Sequence, residues 1–322
     1  MTGQWVEPDI RDQIVGYVKD LAAKAELSRR WLIQLIGISP SRFYEWQQRL
    51  GQPNFHNCHI PKKHWLLPQE RLAVVDYCQS RIEEGYRRLT YMMLDENIVA
   101  ASPATIYRIL KEEGLLFRWQ PTTTAKKKGF DQPHKIHQHW HVDISYIKIL
   151  GVFFFLISVL EGFSRFILHH ELRINMTETD VEITIERARE KFPNLNPRLI
   201  NDNGPQFISK EFKEYIRTCQ LEQVFTSPFH PQSNGKLERF HRTIKTEEIR
   251  KNSYLSLQDA RIKIEQYIIY YNTIRLHSAI YYLTPEDVLM GRMEQRLKQR
   301  QDKLDKAKSY RQQQFILRTQ IS

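Results

Sequence analysis

The chain has 322 residues, 41% of them hydrophobic, which is length for two or more domains and apolar mass for real cores. Lys and Arg outnumber Asp and Glu by 48 to 37, a formal charge of +11, which favours an acidic partner, most often nucleic acid. The longest apolar run, 152–160, is too short to span a bilayer, so no membrane partner is expected. Cys58, Cys78 and Cys219 follow no metal-ligand spacing, and no signal peptide is visible. The expected location is the cytoplasm, at the nucleoid when DNA is bound.

Residues 1–50 read as helical. Ile10, Ile14, Val18 and Leu21 have amphipathic spacing. In LSRRWLIQLIGISPSRFYEW (27–46), a short helix stops at Gly37 and a second begins with Ser39 as N-cap and Pro40 at the first helical position. That is a helix-turn-helix pattern. Residues 51–67, with Pro53, Pro61, Lys62 and Lys63, read as a linker. A second helical block covers 68–116. Its SPATIYRI (102–109) repeats the layout of SPSRFYEW (39–46): Ser-Pro opens both, Tyr follows five residues after the Ser, and Phe43/Trp46 match Ile106/Ile109 in offset. Two helix-turn-helix modules are expected, with paired plain helical hairpins as the alternative. In a major groove the first would present Arg42, Glu45 and Arg49, and the second Thr105, Arg108 and Lys111.

A basic linker, 117–138, contains Lys126, Lys127 and Lys128. The pattern then turns to strands at 139–150, 152–160 and 165–174, joined by short turns. A helix at 178–191, a strand at 198–202, a helix at 209–219, a strand at 222–227 and a long helix from about 233 follow. The order βββαβαβα implies a mixed sheet with helices packed on it. From Thr284 the chain is helical again. Thr284 serves as N-cap, Pro285 as the first residue, and Asp287 supplies an acid in the first turn. The segment 291–322 carries nine Lys/Arg and three Asp/Glu, a net +6. It reads as a DNA-contacting helix, a tail ordered on binding, or a solvated charged helix.

Two acids stand where charge is costly. Alternation puts Asp143 on one face of its strand with His141 and Ser145, and Asp202 ends the fourth strand. If those strands are neighbours, a divalent cation relieves the repulsion, and oxygen ligands select Mg²⁺ or Mn²⁺. Glu238 on the long helix shares a face with Arg242 and Lys245, while Lys236, Arg239 and His241 fall on the opposite edge. The approach SPFHPQSNG (227–235) is turn-rich, with His230 as a loop hydrogen-bonder. The group His134, His137, His139 and His141 lacks a cysteine pair, so zinc is not expected.

Asp143, Asp202 and Glu238, the last two separated by 35 residues (238 − 202 − 1), resemble the acid triad of retroviral integrases and bacterial insertion-sequence transposases. WHVDISYIK, DNGPQFISKEF, HPQSNGKLERFHRTIK, YYNTIRLHSAI and LTPEDVL look like the transposase version. The resemblance covers 138–290 and reaches loosely into 68–116 through EEGYRRL (83–89). It is closest to the family usually encoded in two overlapping reading frames; the single-frame arrangement here departs from that. The resemblance implies a ribonuclease H-like core at 139–255, extended by helices at 256–290 and followed by the basic helical tail, 291–322. It also implies two Mg²⁺ or Mn²⁺ ions, with Asp143 bridging them and Asp202 and Glu238 each binding one. Lys236, Arg239, Arg242 and Lys245 would then contact DNA. Terminal-repeat binding, strand cleavage and joining by at least a dimer follow as expectations. A DNA-binding regulator with an inert core and an integrase of another mobile element are the rival readings.

Overall fold

The computed structural model describes residues 6–52, 65–116, 132–225 and 235–321, with backbone alone for 316–321. Lys126–Lys128, the approach loop with His230, and most of both linkers lie outside the described residues. Contacts divide the chain into two units, residues 1–65 with 311–322, and residues 66–310.

The first unit contains α1 (Pro8–Lys24), α2 (Arg29–Ile36) and α3 (Pro40–Gln48). Val15, Val18, Leu32, Ile33, Phe43 and Trp46 form its core. Gly37 ends α2 at φ 75°, a left-handed position that glycine takes without a side-chain clash. The Ser39 hydroxyl then accepts the Arg42 N–H at 3.4 Å. Arg11 is wholly buried, and its guanidinium donates to the carbonyls of Arg49 and Gln52, each at 2.7 Å. One charged side chain thereby closes the end of the block.

The second unit opens with α4 (Pro68–Gln79), α5 (Tyr86–Asp95) and α6 (Pro103–Glu112). Ser102 caps α6 as Ser39 caps α3, accepting the Thr105 N–H at 3.3 Å. Ile106 and Ile109 are buried, as are Phe43 and Trp46, so the matching offsets do mark core faces. Thr105 corrects its sequence assignment. It is 3% exposed and its hydroxyl bonds Ser102, so it faces the core and not a groove. Arg108 and Lys111 are exposed.

Five strands follow: β1 (His139–Ile149), β2 (Val152–Glu161), β3 (Ile167–Arg173), β4 (Arg198–Asn201) and β5 (Glu222–Phe225). Their order is β3-β2-β1-β4-β5. The first three pair antiparallel and the last two join in parallel. Leu150 and Gly151, at φ 48° and 85°, make the tight turn between β1 and β2. Alternation along β1 sends Trp140 and Val142 to a core with α7 (Glu178–Lys191) and, beyond the short α8 (Pro205–Ile208), α9 (Lys210–Thr218). Ile147 and Ile149 face the other way, against α10 (Gly235–Ile244) and α11 (Leu257–Thr273). The result is the mixed five-stranded sheet with packed helices that the strand and helix order implied, with helices on both faces.

The chain continues through α12 (Pro285–Leu289) into α13 (Met293–Ile321). Helix α13 takes up most of the basic segment, and its first half is packed. Arg300 is 4% exposed; it donates to both Asp95 carboxylate oxygens at 2.9 and 2.6 Å, and to the carbonyls of Tyr281 and Tyr282. Lys303 donates to the Leu94 and Asp95 carbonyls at the end of α5. These cations serve the fold, tying α13 to the α4–α6 block.

Candidate active site

The parallel register between β1 and β4 sets the site. His139 pairs with Arg198 and His141 with Ile200, a constant offset of 59 (198 − 139). Carried on by two residues, the same offset brings Asp143 level with Asp202. β4 ends at Asn201, one residue short of the expected strand, so Asp202 follows it directly, and by this offset it lies level with Asp143 on the sheet face that α10 covers. Ser158 stands opposite Asp143 on β2.

Local bonds hold each acid. The Ile144 N–H donates to Asp143 Oδ1 at 2.8 Å, and the Gly204 N–H donates to Asp202 Oδ1 at 2.9 Å. A Cβ on Gly204 would stand 2.6 Å from Gln206 Nε2 and 3.0 Å from Asp202 Oδ1, so a larger residue there would shift the Gln206 side chain and crowd the carboxylate. Gln223 fastens that turn to β5, donating to Asn201 Oδ1 at 3.1 Å and to the Phe207 carbonyl at 3.0 Å. Desolvation raises the Asp202 proton affinity, the Gly204 N–H opposes it, and the Asp143 charge adds to the rise.

Helix α10 brings the third acid. Leu237, Phe240 and Ile244 bury its apolar stripe. Glu238 sits at the rim, its proton affinity raised by desolvation and then by Asp143, with His241 opposing. Both partner acids thus feel Asp143. Among the described residues, no three Asp, Glu, His or Cys converge closely enough to hold a metal ion as they stand. Asp143 is the acid shared by two pairs. Hard oxygen donors that repel one another fit a hard divalent cation.

The cations around the acids divide differently from the sequence reading. His241 is on the acid side, with its Nδ1 3.6 Å from Asp143 Oδ2. Three residues after Glu238 is less than one helical turn, a spacing that shares a face, and that signal was present in the sequence. Lys245 lies in a wide π turn, Lys245–Ile249, that ends the helix. Desolvation lowers its proton affinity, Arg250 lowers it further, and Asp143 opposes both. Arg242 is exposed, as expected for a phosphate contact. Lys236 is not a free surface cation. Its Nζ donates to the Gly162 carbonyl at 3.0 Å, and burial, helped by Arg165, pushes it down to about 7 against the pull of Glu161. Arg239 is exposed beside it. In the helical blocks, Arg42 lies over the Trp46 ring at 5.3 Å and Arg49 is exposed. Arg42, Arg49, Arg108 and Lys111 all lie on the helical blocks, apart from the acids in sequence.

Residues 133–231 match a family model described as an integrase core domain, and residues 219–285 match a second model of the same description. The transposase for insertion sequence element IS904 of Lactococcus lactis is 26% identical over 157 residues, 48% of this chain and 61% of that protein. The putative transposase InsK for IS150 of Escherichia coli is 22% identical over 226 residues, 65% of this chain and 78% of that one. The Gag-Pro-Pol polyprotein of simian retrovirus SRV-1 is 31% identical over 117 residues, 36% of this chain and 6% of the polyprotein. The chain thus spans about three fifths of the IS904 transposase and a small part of the retroviral polyprotein. Among solved structures, a simian T-cell lymphotropic virus intasome aligns at 17% identity and a TM-score of 0.45, covering 67% of this chain and 74% of that one. The HTLV-2 integrase catalytic core domain with magnesium aligns at 18% identity and a TM-score of 0.39, covering 48% and 98%.

Residues 133–285 thus carry the integrase core domain matches. Its relatives include bacterial insertion-sequence transposases and retroviral polyproteins.

Proposed function

We propose that the protein is a transposase that binds the terminal inverted repeats of a mobile element, and cleaves and joins DNA strands at Asp143, Asp202 and Glu238. The observation that carries this reading is the β1–β4 register, which makes Asp143 and Asp202 neighbours at one sheet face under the helix that bears Glu238. Those three carboxylates would hold Mg²⁺ or Mn²⁺, two ions in the full site. The bound ions would polarise the scissile phosphate and the attacking oxygen. Asp202 is steadied for this by the Gly204 N–H, and Asp143 by the Ile144 N–H and the His241 ring. Arg242 and Lys245 flank the acids and would position the phosphate backbone.

The α1–α3 and α4–α6 blocks would supply end recognition through Arg42, Arg49, Arg108 and Lys111. Two element ends must be held together, so the protein would act as at least a dimer on DNA.

The test is a cleavage and joining assay on the DNA ends flanking the gene, with Mg²⁺, with Mn²⁺ and with EDTA. Asp143→Asn, Asp202→Asn and Glu238→Gln should each abolish nicking, by at least about a hundredfold, while end binding persists. Tight end binding by wild type without nicking in either metal would favour the inert-core regulator.

A further inference from the structure

We propose that Arg165, with Lys236 and Arg239, seats one phosphate of the DNA backbone beside the carboxylate cluster; this rests on the function proposed above and adds a residue to it. Arg165 sits in the turn from β2 to β3 at φ 70°. That left-handed backbone is costly for a residue with a side chain and persists where the surroundings hold it. Its own N–H donates to the Glu161 carbonyl at 2.9 Å. Its Nε and Nη1 are shut off from solvent and make no hydrogen bond among the described residues. Two buried guanidinium N–H donors without a hydrogen-bond partner are costly to a fold.

The charge around it does not provide that partner. The one nearby carboxylate, Glu161, is occupied. It accepts the N–H groups of His137, Phe163 and Ser164 and the Ser164 hydroxyl, at 2.5 to 3.1 Å. The other charged neighbours are cations. Arg239 acts on Arg165, and Arg165 acts on Lys236, each disfavouring the other's charge. Lys236 gives one N–H to the Gly162 carbonyl and retains two more. Three basic side chains thus gather near one carboxylate whose oxygens are already engaged by N–H and hydroxyl donors.

The place adjoins the acids. A Cβ on Gly162 would stand 2.9 Å from the His139 carbonyl and 3.1 Å from His141 Nε2, so this turn presses on β1 two residues before Asp143. Lys236 and Arg239 flank Glu238 on α10. A backbone phosphate of a strand lying across the acids would give Arg165 the acceptor it lacks and add counter-charge for Lys236 and Arg239. Such a contact positions the strand and reads no base.

The experiment is duplex-DNA binding by the full chain, followed by fluorescence anisotropy across a NaCl series, for wild type, Arg165→Gln and Arg239→Ala. Each variant should weaken binding on the order of tenfold at low salt, equally on element-end and unrelated duplexes. Each should also flatten the logarithmic salt slope by about one. Thermal melts report folding. If Arg165→Gln does not fold, the exposed Arg239→Ala carries the test. Wild-type slopes in the folded variants would overturn the phosphate seat while leaving the transposase reading intact. A loss confined to one DNA sequence would overturn it in favour of base reading. Absence of duplex binding by wild type would instead remove the proposed function, and this inference with it.

Discussion

The two helical blocks begin alike and end differently. Both open their third helix with Ser-Pro, and both caps accept the N–H three residues on. The α1–α3 block closes itself, since buried Arg11 reaches the Arg49 and Gln52 carbonyls and Asp12 accepts the Gly51 N–H at 2.8 Å. The α4–α6 block is closed from outside. Asp95 at the end of α5 receives Arg300 from more than two hundred residues away, and Tyr91 stacks on Tyr282 at 4.7 Å. Lys251 also pairs with Glu83, and Glu247 takes both ends of the Arg275 guanidinium. A shared local motif therefore does not imply a shared mechanical role. The second block is part of the unit that contains the acids, whereas the first belongs to the other unit.

The largest expected effect comes from cutting the seam. Arg300→Ala removes the bidentate partner of Asp95, leaving it Arg296 at 3.5 Å, and the donor to two carbonyls, and should cost the 66–310 unit about 3 kcal/mol. Hydrogen exchange on the full chain should show α4–α6 and the start of α13 losing protection together, with α1–α3 unchanged. Equal loss in both blocks would break the distinction drawn between them.

A pH series should move the same seam more gently. His277 is buried beside Arg275, with the Tyr271 carbonyl 3.2 Å from its Nε2. Desolvation first, then Arg275, push it down to about 3, with Arg88 and Arg165 adding to the fall and the Tyr271 carbonyl opposing. The unfolded chain therefore binds the extra proton below about 6.5 and the folded chain does not until near 3. Stability of this unit should be fully present above 6.5 and decline as pH falls through that window. Chemical denaturation of wild type and His277→Gln should show that decline lessened in the variant. The same decline in both would remove His277 as its source.

The smallest effect sharpens the likeness between the blocks. Ser39→Ala and Ser102→Ala should each cost about 1 kcal/mol by urea denaturation, because each removes one N-cap acceptor. A cost several times larger at Ser102 would show that its hydroxyl bond to Thr105 also matters to the packing.

Much of the fold was legible because its signals are local. Residues 178–191 have a helix-length pattern, and Thr177 caps them reciprocally with Asp180. Residues 139–149 alternate cleanly, so Asp143 could be assigned to the face of His141 and Ser145. Leu150-Gly151 marked its own turn. The three acids stood out because a carboxylate at a core strand needs a reason, and the flanking motifs supplied a family resemblance.

Other features depend on which surfaces meet. Thr105 looked like a groove-facing residue until α4 and α5 closed over it, since a short helix pattern does not state how wide its buried stripe becomes. His241 could join Asp143 only once α10 lay across β1. The basic character of 291–322 suggested phosphate binding, yet Arg300 and Lys303 meet a carboxylate and helix-end carbonyls instead. Charge along a sequence specifies what a side chain can bind, but not which partner will be nearest. Composition, caps and alternation determined the elements, the acids and the basic excess of this protein. Tertiary structure alone decided which cations remain available to a ligand, because that depends on contacts between residues distant in the chain.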